Sequence, residues 1–305
     1  MKPLEIVFLG TSCSNPTTNR HLTSTAFRFN GVWFLVDCAE NVQKQMLVAG
    51  ISYMKVQYIL FSHYHLDHFL GLAGLLATMS LHKREEELVI FGPKGLKEKV
   101  KQAIDLGDLE LSFPLDLQEI KKDKIILDKE DFKIKAFHLD HTVKTLGYCF
   151  KEKDKIGEFE PKKAEDLGIP KTPYWNQLQK GITINYKGKR IKPEDVMDLR
   201  KAEKGKKLCI VMDTFSSTDY KSEIFEADVL VHEASFLKKD AKRAEETKHS
   251  VVEEVAKLAA ESKVKKLFLT HISPRYPNSK DIENEARRYF KESYVAKDLQ
   301  REFFK

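Results

Sequence analysis

The feature that most constrains this chain is a polar cluster at the end of an apolar run. Residues 56–61, Val-Gln-Tyr-Ile-Leu-Phe, read as a compact buried strand. They lead directly into Ser62-His63-Tyr64-His65-Leu66-Asp67-His68. On an extended or turning loop, His63 and His65 point to one side. Asp67 and His68 then turn toward a second position. Three imidazoles and a carboxylate so close together are costly to bury without a partner. Together they suit zinc or another divalent first-row metal. A loop of this kind needs a rigid frame. The strand behind it and the apolar, helix-compatible stretch 69–81 in front of it supply one.

The pattern of a strand followed by a polar residue returns along the chain. Residues 132–137 end at His138-Leu139-Asp140-His141, and residues 208–212 at Asp213-Thr214. Residues 228–231 end at His232-Glu233, and residues 267–270 at His271. Near the start, residues 4–9 run into Gly10-Thr11-Ser12. Segments 25–30 and 32–37 are joined by Asn30-Gly31, a strong hairpin signal. Helical patterns lie between several strands, as at 39–49 and 250–263. This alternation predicts an α/β architecture with layered packing, with histidines and aspartates collected along one edge. A dinuclear site needs ligands beyond the first loop and a bridging oxygen donor. His141, Asp213 and His271 fit that need, and Asp213 suits the bridge because a carboxylate has two oxygens. His138 and His232 compete with them, each with an alternative reading as a satisfied structural histidine. His21 and His82 have no strand-end position and read as ordinary surface or packing residues.

Composition narrows the partners. The chain has 305 residues and a net charge of +6, a basic excess too small by itself to prove an anionic partner. Its placement is more informative. Residues 151–207 hold 16 Lys and Arg against 10 Asp and Glu, an excess as large as that of the whole chain. This stretch carries glycine, proline and only short apolar runs. It reads as an insertion projecting from the core, with a solvated surface loop as the alternative. The four cysteines, Cys13, Cys38, Cys149 and Cys209, lack metal-type spacing and suggest no disulfide framework. They read as reduced and buried. The opening residues 1–8 are too short and charged for a signal peptide. No run reaches the roughly 20 apolar residues of a membrane span. The expectation is a soluble, cytoplasmic protein.

The His-x-His-x-Asp-His spacing, with later His, Asp and His at strand ends, resembles the metallo-β-lactamase superfamily from Gly10-Thr11-Ser12 to His271. Within it the chain most resembles the tRNase Z family of tRNA 3′-processing endoribonucleases. The supporting residues are Asp213-Thr214, His232-Glu233-Ala234-Ser235, His249-Ser250 and His271-Ile272-Ser273-Pro274-Arg275-Tyr276. The resemblance implies a four-layer αββα sandwich over residues 1–305, with 151–207 as an inserted flexible arm that binds tRNA. It implies two Zn²⁺ per subunit, with Mn²⁺ or another divalent metal as the alternative. His63, His65 and His141 would hold one metal, Asp67, His68 and His271 the other, with Asp213 bridging. The reaction would be attack of a two-metal-activated hydroxide on a phosphodiester, removing the 3′ trailer of precursor tRNA. Asp67 resembles the family's proton acceptor and His249 its general acid. Glu233 either orients His249 or is structural. The arm contains Gly168-Ile169-Pro170-Lys171-Thr172-Pro173-Tyr174-Trp175, with Thr172 where most relatives carry glycine. Lys171 and Lys180 would meet phosphates. Tyr174 and Trp175 either stack on bases or pack the arm's own core. Arg20 lies in Pro16-Thr17-Thr18-Asn19-Arg20, which resembles the loop near the tRNA 3′ end. Many relatives have Lys at Thr18, in a loop linked to rejecting tRNAs that already end in CCA. The family also implies a homodimer. The alternative function is a broader metallo-phosphodiesterase acting on small or varied nucleic acids.

Overall fold

A computed structural model of the chain describes residues 3–304; Met1, Lys2 and Lys305 lie outside it. The elements divide into a larger unit and a smaller one. The larger comprises Met1–Asp128, Ile134–Phe150 and Lys207–Lys305, and the smaller Lys129–Lys133 with Lys151–Lys206.

Two seven-stranded sheets organise the larger unit. The first runs, strand by strand, Arg301–Phe304, Leu4–Gly10, Ser24–Phe29, Val32–Val36, Val56–Leu60, Leu88–Pro93 and Leu115–Ile120. The second runs Ser293–Val295, Leu267–Thr270, Val229–Glu233, Lys207–Val211, Thr145–Glu152, Phe132–Leu139 and Lys124–Asp128. The strand Leu4–Gly10 is buried at every position, as expected of a strand covered on both faces. One of its faces meets the second sheet, where Phe8 and Phe268 pack at 5.2 Å. Phe150 likewise packs between the sheets against Phe27 and Phe29, at 5.7 and 5.0 Å. The other face, Val7 and Leu9, packs with Val42, Met46, Leu72, Leu75 and Met79 from covering helices. Helix Val252–Glu261 covers the second sheet with Val252, Val255, Ala256 and Ala259. That spacing is one helical face. The order is therefore helices, sheet, sheet, helices, the four-layer αββα arrangement.

Asn30 and Gly31 both take positive φ, 50° and 85°, the requirement of a type I′ hairpin. The stretch 69–81 departs from expectation. It is not one helix but two, Leu66–Phe69 and Leu72–Leu81. The break falls at Gly71, where an added Cβ would lie 2.0 Å from the Ala39 carbonyl oxygen. The chain passes too close to its neighbour there for any side chain.

Strands Val32–Val36, Val56–Leu60, Leu88–Pro93 and Leu115–Ile120 run parallel in the first sheet. Lys207–Val211, Val229–Glu233, Leu267–Thr270 and Ser293–Val295 run parallel in the second. Parallel strands deliver their carboxyl ends to a common edge, where ligand sites form in α/β folds. Asp37, His63, Asp213 and His271 all follow such ends.

The smaller unit has its own core of Ala164, Ile169, Trp175, Leu178, Ile184, Ile191 and Val196. It holds helices Pro161–Asp166 and Pro173–Gln179 and hairpin Ile184–Tyr186 with Lys189–Ile191. It contains most of the 151–207 segment, ends at Lys206 and also includes Lys129–Lys133. No helix among the described residues is long and apolar enough to cross a membrane. All four cysteines are buried and free.

Candidate metal centre

Four imidazoles meet at the sheet edge because outer partners hold their far nitrogens. His63 Nδ1 lies 2.9 Å from Ser62 Oγ, and His68 Nδ1 lies 2.7 Å from Asp37 Oδ2. His141 Nδ1 donates to the Lys248 carbonyl at 2.9 Å, and His271 Nδ1 lies 2.9 Å from Ser235 Oγ. Each bond leaves Nε2 free to face inward, and partners of this kind fix both tautomer and ring orientation. His65 is turned the other way, with Nδ1 2.9 Å from His63 Nε2.

Asp213 stands between two sets of these groups. Its Oδ2 is 3.6 Å from His63 Nε2 and 3.8 Å from His141 Nε2. Its Oδ1 is 3.4 Å from His68 Nε2 and 3.3 Å from His271 Nε2. Asp67 Oδ2 adds to the second set, 3.7 Å from His68 Nε2 and 3.6 Å from His271 Nε2. The donor atoms of His63, His65, His141 and Asp213 lie within 4.8 Å of one another, as do those of Asp67, His68 and His271. Asp213, His249 and His271 form a third such group.

The electrostatics of this crowd are telling. Burial alone would raise the Asp213 carboxyl, but His271, His68 and His63 outweigh it and hold it well below the usual carboxylate range. Burial pulls His68 down, yet Asp213 and Asp37 push it up to about 10. His271 is raised well above its ordinary value against burial, chiefly by Asp213. Burial and neighbouring His68 keep His63 far below its ordinary value. The two aspartates thus favour the charged forms of His68 and His271, and divalent ions would supply positive charge at the same place. Two buried atoms, His141 Nε2 and Asp213 Oδ1, have no hydrogen-bond partner. Buried polar atoms are rarely left so, and an imidazole nitrogen and a carboxylate oxygen are metal donors. The residues fit a divalent metal site, with Asp213 reaching both donor sets.

The comparisons with known proteins bear on the same residues. Ribonuclease Z of Nitrosopumilus maritimus (strain SCM1) is 38% identical over 296 residues, covering 97% of this chain and 98% of the relative. Ribonuclease Z of Methanosarcina acetivorans is 37% identical, covering 97% and 96%. The chain belongs to the ribonuclease Z family. The first half of the chain, residues 4–156, also matches the family model of the anti-Pycsar protein Apyc1. Human tRNase Z, short form, shares the fold at a TM-score of 0.71 and 24% identity, over 98% of each chain. The metallo-β-lactamase fold protein YhfI from Bacillus subtilis shares it at 0.70 and 17%, over 99% and 100%.

In this ribonuclease Z family member, Glu233 is the hub behind the metal cluster. It is fully buried. Its Oε1 accepts from Ser250 N at 2.8 Å and from Thr214 N at 3.2 Å, and lies 3.1 Å from His249 Nδ1. Its Oε2 accepts from Ser235 N at 2.9 Å and lies 2.9 Å from Ser235 Oγ. Burial lowers His249, but Glu233 outweighs it and raises the ring to about 9. Asp67 Oδ2 also accepts from Ser14 N at 2.9 Å, which ties the early loop to the cluster.

The remaining sequence candidates separate clearly. His138 is paired with Asp123 at 2.7 Å. His232 is buried against Tyr220 at 2.8 Å. Both read as structural. Arg20, expected to face RNA, is instead turned onto Thr11 and donates to the Ala296 carbonyl at 2.7 Å. It pins the early loop to the C-terminal segment. Trp175 packs in the small unit's core and donates to the Ile169 carbonyl at 3.0 Å. Tyr174 stays half-exposed beside Tyr186. Lys171 is exposed, and Lys180 pairs with Glu130 at 3.1 Å. Sequence reasoning missed Asp37 and Ser235. Asp37 ends a strand like the ligands do, so the strand-end rule, applied evenly, reaches it.

Proposed function

We propose that this chain is a zinc-dependent endoribonuclease that hydrolyses the phosphodiester at the 3′ end of precursor tRNA and releases the 3′ trailer. One observation carries the reading: two donor sets share Asp213 between them, and buried His141 Nε2 and Asp213 Oδ1 make no hydrogen bond. Family membership over nearly the whole chain supports the substrate. His63, His65 and His141 would hold one ion and Asp67, His68 and His271 the other. Bound there, the ions would lower the pKa of a water toward neutrality and neutralise charge growing on the phosphoryl oxygens. Asp67, held by Ser14 N, is placed to accept a proton from the nucleophile. His249 keeps its proton near neutral pH because Glu233 supports the charged ring. Its Nε2 is the nitrogen left to donate to the departing 3′ oxygen. Glu233 orients that ring through Nδ1. Lys171, Tyr174 and other groups of the small unit would contact the tRNA body. The protein would work in the cytoplasm as a homodimer.

The test is cleavage of precursor tRNAs with and without an encoded CCA. Trailer release from the CCA-less precursor is expected. Failure of the metal-loaded protein to cut any precursor would remove tRNA as the substrate. The second reading, a broader metallo-phosphodiesterase, draws on the same two donor sets, which would serve any phosphodiester. It expects small diesters to be hydrolysed as efficiently as RNA.

A further inference from the structure

We propose that Lys248 is a phosphate-binding residue at the mouth of the metal centre, held by Asp140 until RNA replaces that carboxylate. The inference rests on the endoribonuclease reading. Lys248 caps helix Ala241–Thr247 with a left-handed φ of 53°. Its main chain faces into the site, where its carbonyl accepts from His141 Nδ1 at 2.9 Å. The next residue is His249, whose ring lies 5.0 Å from that of His141 and 5.3 Å from that of His271. Lys248 is therefore the chain neighbour of the candidate acid, and its carbonyl holds a candidate ligand.

The side chain faces the opposite way, toward water. Its Nζ is 2.6 Å from Asp140 Oδ1, and the two side chains are 43% and 49% exposed. An ion pair this open is screened and gains little. The loops around it do not need it. Asp140 is already fixed through its carbonyl, which accepts from Phe215 N at 2.7 Å and Thr214 Oγ1 at 3.3 Å. Ser250 is fixed to the Thr214 carbonyl at 2.8 Å. The pair thus adds no anchoring that the backbone lacks. What it adds is a cation kept in place at the rim, on a weak partner. A phosphodiester beside the scissile one brings the same single charge, and RNA bound at the centre would hold it beside Lys248 at high local concentration. Asp140 prevents Lys248 from roaming and is displaced when RNA arrives.

Exchange of this kind gives the two partners opposite signs, which a structural latch does not. The experiment measures kcat/KM of zinc-loaded Lys248→Met, Lys248→Arg and Asp140→Asn on a precursor tRNA across a salt series. Metal content and melting temperature are checked for each. Lys248→Met should lose about tenfold, the worth of one charge-assisted hydrogen bond. Its log–log salt slope should flatten by about 0.7–0.9, one phosphate contact. Lys248→Arg should keep the slope, and Asp140→Asn should match or exceed the wild type. The proposal is overturned if Asp140→Asn falls together with Lys248→Met, or if Lys248→Met keeps the wild-type slope. Wild-type cleavage in the same series tests the enzyme reading separately.

Discussion

Asp213 and His249 occupy different positions in the chemistry, and their substitutions should differ in kind. Asp213 directs one oxygen at each donor set. Asp213→Ala therefore removes a ligand from both ions and leaves buried imidazoles uncompensated. His249 is held through Nδ1 by Glu233, so on the proposed role His249→Ala should keep its metals and lose about 10²–10⁴-fold in turnover, as for a proton donor. The check is metal content and rate for both variants. Full occupancy and normal rate in Asp213→Ala would refute the bridging role. At this scale the sequence was legible wherever a ligand follows a strand. Asp37 and Ser235 escaped notice because their work is done on the far nitrogen of another residue's ring. Such a contact is set by tertiary packing and leaves no local spacing. The hold on Arg20 is equally non-local. Its partner, the Ala296 carbonyl, is 276 positions away.

Among the elements, the strands were the readable part. Apolar runs ended by polar residues gave central strands of both sheets and their common edge, while the paired-sheet layering came with the family resemblance. The stretch 69–81 failed as a single helix because Gly71 answers to the Ala39 carbonyl on another segment, not to its own periodicity. The small unit was readable as a basic insertion but not as a folded body, since seven core residues spread over short elements leave little pattern. Burial of Trp175 settles its place in that core, while Tyr174 stays half-exposed beside Tyr186. Deletion of residues 152–204 should weaken precursor-tRNA cleavage and spare a small phosphodiester, because remote contacts act through substrate binding. The tRNA salt slope should also flatten. The measurement is kcat/KM on both substrates, after folding and metal content are verified. Equal losses on both would make the unit structural rather than a tRNA clamp.

For the whole molecule, two sheets and their covering helices hold seven donor residues drawn from four separate segments of chain. Without metal, Asp213 and Asp67 lie against His68 and His271 and favour the charged form of each ring. Ions that supply that charge instead bind the folded state alone. At a hundredfold excess over Kd, each should stabilise it by about 2.7 kcal/mol. Chelation should therefore lower the melting temperature reversibly, and activity should fall with it. The most direct test joins that metal dependence to the product. The chelated protein is titrated with zinc while trailer release from a CCA-less precursor tRNA is followed and the new RNA ends are mapped. The account predicts that cleavage at the trailer junction rises to a maximum at two zinc ions per chain, leaving a 3′-hydroxyl on the tRNA. Undiminished cleavage by the fully chelated protein, or a maximum at one ion that a second does not change, would contradict it.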